Sequence, residues 1–208
     1  MDADKRQQLD KLLQNPRIGL AGTTRPPQVL PTGFAELDKL LHGGWPAGAL
    51  TELFVDSYGS GELSVLLPAL QQLTGLLVWV APPYLPYAPA LQAAGLDLSR
   101  LMLVNADDDS DTLWSLEQAL HSPACAAAFA WVGRAGMRNL RRLQLAAEQH
   151  GSWAVVFRPR QALRLHSVAA LRVQLQRVDS DTAEGSSCLQ LTVLKNRFGR
   201  SGSVRLDV

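Results

Sequence analysis

The stretch ALTELFVDSYGSGELSVLLPALQQLTGLLVWV, residues 49–80, decides the fold. Ala49 to Val55 is mostly apolar and reads as a strand. Asp56 to Gly61 is a short loop with two glycines, and Glu62 to Leu73 reads as a helix. Leu76 to Val80 is apolar at every position, which is the pattern of a parallel strand covered on both faces. Strand, loop, helix, strand is the repeating unit of a doubly wound sheet.

The alternation continues outward in both directions. Upstream, a helix over 34–41 is introduced by Thr32-Gly33 and stopped by Gly43-Gly44. Downstream, Pro82, Pro83 and Pro86 break the chain before a helix over 88–94. Strands over 101–104, 125–132 and 153–157 then alternate with helices over 111–121 and 137–150. After Phe157 the pattern changes. Residues 171–178, 187–194 and 203–207 read as three strands joined by turns, an antiparallel extension. The predicted fold class is α/β: a doubly wound, mostly parallel sheet with helices on both faces and that C-terminal extension. This core occupies 29–208. Residues 16–28 form a flexible linker rich in Gly, Thr and Pro. Residues 1–15 form a helix with Leu9, Leu12 and Leu13 on one stripe, a candidate for docking on a neighbour or for self-association.

Composition narrows the function classes. An apolar fraction of 47% and a charged fraction of 19% describe a globular chain. The N-terminus is charged and lacks a signal-like apolar region, and no apolar run is long enough for a membrane span. The expected location is the cytoplasm, with no membrane contact. Cys125 and Cys188 are far apart, and the four histidines are scattered without ligand spacing, so no metal site is expected. The five tryptophans are expected to pack in the core.

A net charge of +1 hides a local asymmetry, with nine arginines and one acid, Glu148, between Arg134 and Arg177. Arg134, Arg138, Arg141 and Arg142, with Arg158 and Arg160 from the following loop, form a candidate patch for weak, salt-sensitive nucleic-acid binding. A solvated helix face is the competing reading, and no aromatic stacking platform lies between these arginines.

The 50–73 unit is where a phosphate-binding loop would sit. That chemistry needs G-x-x-x-x-G-K-[ST]: backbone N–H groups around the phosphates, a lysine on them and a hydroxyl on magnesium. With Gly61 as the second glycine, Asp56 takes the first position, Glu62 the lysine and Leu63 the hydroxyl. With Gly59 in that role, Phe54, Ser60 and Gly61 fall there instead. Neither register works. A carboxylate about 4 Å from a phosphate charge costs roughly 4 kcal/mol at an effective dielectric near 20. No nucleotide cofactor and no ATPase activity are expected from Gly59, Gly61 and Glu62.

Two long blocks carry a family resemblance: LPTGFAELDKLLHGGWPAGALTEL, residues 30–53, and WVAPPYLPYAPALQAAGLDLSRLMLV, residues 79–104. Both resemble the ImuA family of RecA-like proteins, relatives of the division inhibitor SulA. Val193-Leu194-Lys195-Asn196-Arg197 is similar to the RecA strand that reaches a neighbouring protomer's nucleotide. The resemblance implies a non-catalytic RecA-like adaptor in the SOS and DNA-damage response, supporting error-prone translesion synthesis. Its implied partners are ImuB, an error-prone DNA polymerase assembly and RecA filament ends, the last through Lys195 and Arg197. A SulA-like inhibitor that binds FtsZ is the alternative. Against the RecA pattern, Pro82 stands where the catalytic glutamate would be, and Gly133 ends a strand where a metal-holding aspartate would be.

Overall fold

The computed structural model of the protein describes residues 28–179 and 187–207. A two-stranded antiparallel ribbon opens it, with β1 (Val29–Leu30) paired to β2 (Trp45–Pro46) around helix α1 (Ala35–Leu41). The ribbon needs Gly44, which has φ +138° and whose added Cβ would lie 2.0 Å from the Leu30 carbonyl oxygen. The main unit follows: β3 (Leu50–Val55), α2 (Leu67–Gln71), β4 (Leu76–Val80), α3 (Ala88–Ala93), β5 (Leu101–Val104) and α4 (Asp109–Leu120). It continues with β6 (Cys125–Trp131), α5 (Met137–His150), β7 (Trp153–Pro159), β8 (Leu171–Asp179), β9 (Ser187–Asn196) and β10 (Gly202–Asp207).

These eight strands form one sheet in the order β10-β9-β8-β3-β7-β6-β4-β5. Strands β3 to β8 run parallel, and β9 and β10 join antiparallel at one edge. The expected doubly wound, mostly parallel sheet is present. One detail differs: β8 is parallel to β3, so the antiparallel extension begins at β9.

Side-chain size assigns the two faces. One face is aromatic, with Trp79 on β4, Phe129 and Trp131 on β6, and Trp153 and Phe157 on β7. Trp45 stacks on Trp153 at 5.7 Å, Phe129 meets Trp153 edge-on at 5.3 Å, and Trp131 stacks on Phe157 at 4.5 Å. The other face carries small residues, Ala128, Ala130 and Ala154, so α4 and α5 pack close through Leu116, Leu120, Leu140 and Leu143.

The helix expected over 62–73 contracts to the five residues of α2. Pro68 is the reason. Inside a helix begun at Glu62, its ring would collide with the carbonyl of Ser64 and remove a hydrogen bond, whereas in the first turn it is harmless. Pro68 also packs against Gly33, where an added Cβ would lie 2.7 Å from its own Cβ. Trp114 departs from the core expectation as well, being 60% exposed on the outer side of α4.

Cys125 is buried at the start of β6, and burial pushes its thiol up to about 11 from an ordinary value of 9. A thiol raised in the folded state holds its proton where the unfolded chain has lost it. This contribution is therefore complete below about pH 9 and is lost as pH rises toward 11. The gap corresponds to about 2–3 kcal/mol. Urea denaturation at pH 8 and pH 11 should show Cys125→Ala losing less stability over that interval than the native chain. Equal losses would refute the assignment.

Candidate functional site

The loop after β3 turns through Gly59 and Gly61, at φ +79° and +101°. Glu62 then folds back, and its Oε1 accepts the Gly59 N–H at 2.8 Å. The carboxylate is buried, with Oε2 lacking a hydrogen-bond partner among the described residues. Residues 63–66 run in tight turns, with Ser64 N–H donating to Gly61 O at 3.0 Å and Leu66 N–H to Leu63 O at 2.9 Å. A phosphate cradle requires successive free amides opening onto a helix N-terminus. Here the Gly59 amide is occupied by the chain's own carboxylate, and α2 begins five residues later, at Leu67.

Beside this loop lies an apolar cleft of about 190 Å³. Trp79 and Trp131 line it together with Leu63, Pro82, Pro83 and Tyr84. Nearby, Asp109 in the first turn of α4 accepts the N–H groups of Gly133 and Arg134, each at 2.8 Å. The β6–α5 connection is thus fastened to α4. Burial raises the Tyr58 hydroxyl above its ordinary value, and the Asp109 and Glu62 carboxylates add to the rise.

Sequence reasoning missed the charged cluster under this rim. Glu52 on β3 is fully buried and takes one arginine on each oxygen: Arg158 Nη1 at 2.7 Å and Arg172 Nε at 3.0 Å. The three side chains lie across the adjacent strands β7, β3 and β8. The Arg172 guanidinium sits 4.8 Å over the Phe54 ring and donates to the carbonyls of Ala162 and Leu163. The available signal was a glutamate inside ALTELFV and an arginine next to last in WAVVFRP, since a charge in a strand covered on both faces requires a counter-charge.

Arg158 is therefore corrected. It does not join a surface patch for nucleic acid, because β7 extends to Pro159 and carries the side chain inside. Arg142 pairs with Glu117 at 2.6 Å and Arg160 with Asp56 at 3.3 Å. Arg134, Arg138 and Arg141 are exposed without a carboxylate partner among the described residues, so the patch shrinks to α5 and the loop before it. Lys195 donates to the Ser167 carbonyl at 3.0 Å. Burial, and then the nearby Arg197 and Arg172, push its ammonium below the ordinary value. Arg197 is exposed and reaches Glu148 at 3.9 Å. Leu9, Leu12 and Leu13 lie outside the described residues. Among the described residues, no group of three His, Cys, Asp or Glu could hold a metal ion. No helix of the described residues is long and apolar enough to cross a membrane.

Comparison with known proteins places this geometry. The crystal structure of the RadB recombinase superposes with a TM-score of 0.68 at 19% identity, covering 86% of this chain and 96% of that one. The fold is RecA-like. Protein ImuA of Caulobacter vibrioides strain NA1000 / CB15N is 35% identical over 149 residues, which is 67% of this chain and 61% of the relative. Protein ImuA of strain ATCC 19089 gives the same figures. The matched region thus spans about 61% of the length of these curated relatives. The sequence profile described as "Cell division inhibitor SulA" matches residues 48–155, a little over half of the chain. On this evidence the chain belongs to the SulA family, and it is a homologue of protein ImuA.

Proposed function

We propose that this chain is a non-catalytic RecA-like adaptor in DNA-damage-induced mutagenesis, which binds protein partners and turns over no nucleotide. The observation that carries the reading is the Glu62 carboxylate bonded to the Gly59 amide, where a phosphate would have to bind. Pro82 in the cleft wall and the late start of α2 support it, because the proline offers no base at that position and no helix N-terminus faces the cleft. The partners proposed are ImuB and its error-prone polymerase assembly, consistent with the homology to ImuA. RecA filament ends are a further proposed contact, through Arg197 and through Lys195 once it releases the Ser167 carbonyl. The arginines at 134, 138 and 141 supply at most weak, salt-sensitive contact with DNA. The N-terminal leucine stripe remains the proposed docking helix, and the cytoplasm the proposed location.

Purified protein should hydrolyse ATP no faster than a protein-free blank, with or without single-stranded DNA. The same preparation should retain ImuB in a pull-down. Turnover that disappears in a Gly61→Val variant would overturn the non-catalytic reading, and failure to retain ImuB would overturn the adaptor reading.

The SulA profile match favours a second reading, a division inhibitor acting on FtsZ. Expressing the chain in growing cells separates the two. Filamentous cells, with slowed FtsZ assembly in vitro, support inhibition, whereas normal division with damage-dependent mutagenesis supports the adaptor.

A further inference from the structure

The two edges of the sheet are built differently. Edge strand β10 alternates exposed and less exposed positions and carries Arg205 and Asp207, the kind of charge that keeps an edge from pairing. Edge strand β5 is Leu101-Met102-Leu103-Val104, with no charge, proline or bulge. No strand of the described residues pairs with its outer side. Met102 and Leu103 point to opposite faces, and both are exposed, at 50% and 40%. Beside Met102 is an apolar cleft of about 300 Å³ whose wall includes Val78, Val104, Trp114 and Ala119. A bare apolar edge flanked by exposed hydrophobic side chains on both faces signals an interface.

We infer that β5 pairs with β5 of a second copy of this chain, antiparallel, about a two-fold axis normal to the sheet. The strand is self-complementary in the way such an axis requires. Centred on Leu103, the pairing opposes Leu103 to Leu103 and Met102 to Val104 on a common face. Each Met102 then meets the mouth of its partner's cleft, so the hollow and the side chain that fills it come from the same surface. Electrostatics selects the antiparallel sense. Asp107 and Asp108 follow the strand and are exposed, while at its other end Arg100 is paired with Asp97 at 3.3 Å. Antiparallel copies keep the two acidic runs at opposite ends of the interface, whereas parallel copies would set them side by side.

The full-length chain should sediment as a concentration-dependent dimer. Leu103→Lys and Leu103→Glu should each weaken self-association about a hundredfold, because each places like charges across the axis. Mixing the two variants should restore a heterodimer, which only self-opposition at residue 103 explains. Met102→Lys serves as a further disrupting variant if either of those misfolds, with circular dichroism checking each fold. Amides of residues 101–104 should exchange slowly in the dimer and faster in each single variant. A native chain that stays monomeric overturns the inference, whether its β5 amides exchange quickly or are protected by another segment. A dimer indifferent to all three substitutions, or two charged variants that do not recombine, overturns it as well.

Discussion

Glu52→Ala is expected to cost the fold about 3–5 kcal/mol, because it removes the carboxylate that pairs with two arginines. Arg158 is sealed from solvent, and its Nη1 makes the 2.7 Å bond to Glu52. Without that carboxylate, two cations would stand on the strands either side of β3 with no counter-charge between them, and with backbone carbonyls as their remaining acceptors. At about 2–4 °C per kcal/mol for a chain of this size, the melting temperature should fall by roughly 6–20 °C. Glu52→Gln keeps acceptor geometry on one oxygen but loses the charge, and should fall between alanine and the native chain. Because the arginines also hold Ala135, Ala162 and Leu163, hydrogen exchange in those two loops should accelerate before global unfolding. Calorimetry that places Glu52→Ala within 2 °C of the native chain, a shift of about 1 kcal/mol or less, would refute this account.

Phe129→Ala should be comparably damaging, at about 3–5 kcal/mol. Phe129 is fully buried at the centre of β6 and lies against Trp79 at 6.3 Å, Trp153 at 5.3 Å and Phe157 at 5.9 Å. Deleting its ring opens a cavity between three large aromatic groups that the flanking strands cannot close. Phe129→Leu fills most of the space and should cost less than about 1.5 kcal/mol. Since Trp79 also lines the cleft, the alanine variant should change near-ultraviolet circular dichroism while leaving the far-ultraviolet spectrum intact. A midpoint in urea shifted by less than that of Phe129→Leu would show that the aromatic packing contributes little.

Most of the architecture was readable because a parallel sheet writes itself as uninterrupted apolar runs. The strands read at 76–80, 125–132 and 153–157 match the observed ones at their first residue and within two residues at their last. The helix after β3 is shorter than the 62–73 span expected from the sequence, because the missing N–H of Pro68 limits where a helix can begin. The expectation that the loop after β3 holds no nucleotide rests on Glu62 and Leu63, since phosphate chemistry demands particular residue types. That the carboxylate would bond to Gly59 was not visible, because an acceptor's partner depends on how the loop closes. Arg158 illustrates the same boundary. Its charge suggested surface, and only the register of β7 against β3, which sets residue 158 opposite Phe54, puts it inside.

The fastening of the sheet's upper rim has a consequence for timing. In a nucleotide-driven relative, the loop after the first core strand and the loop after the fourth change position as phosphate comes and goes. Here Glu62 holds the first loop by the Gly59 amide, and Asp109 holds the Gly133–Arg134 connection with both oxygens. On the non-catalytic reading proposed above, both loops are already bonded within the chain and the rim carries no clock. A complex formed on such a surface has a lifetime set by its own dissociation rate. On that reading its abundance follows the amount of protein made, and control over when the chain acts falls to its synthesis and its removal.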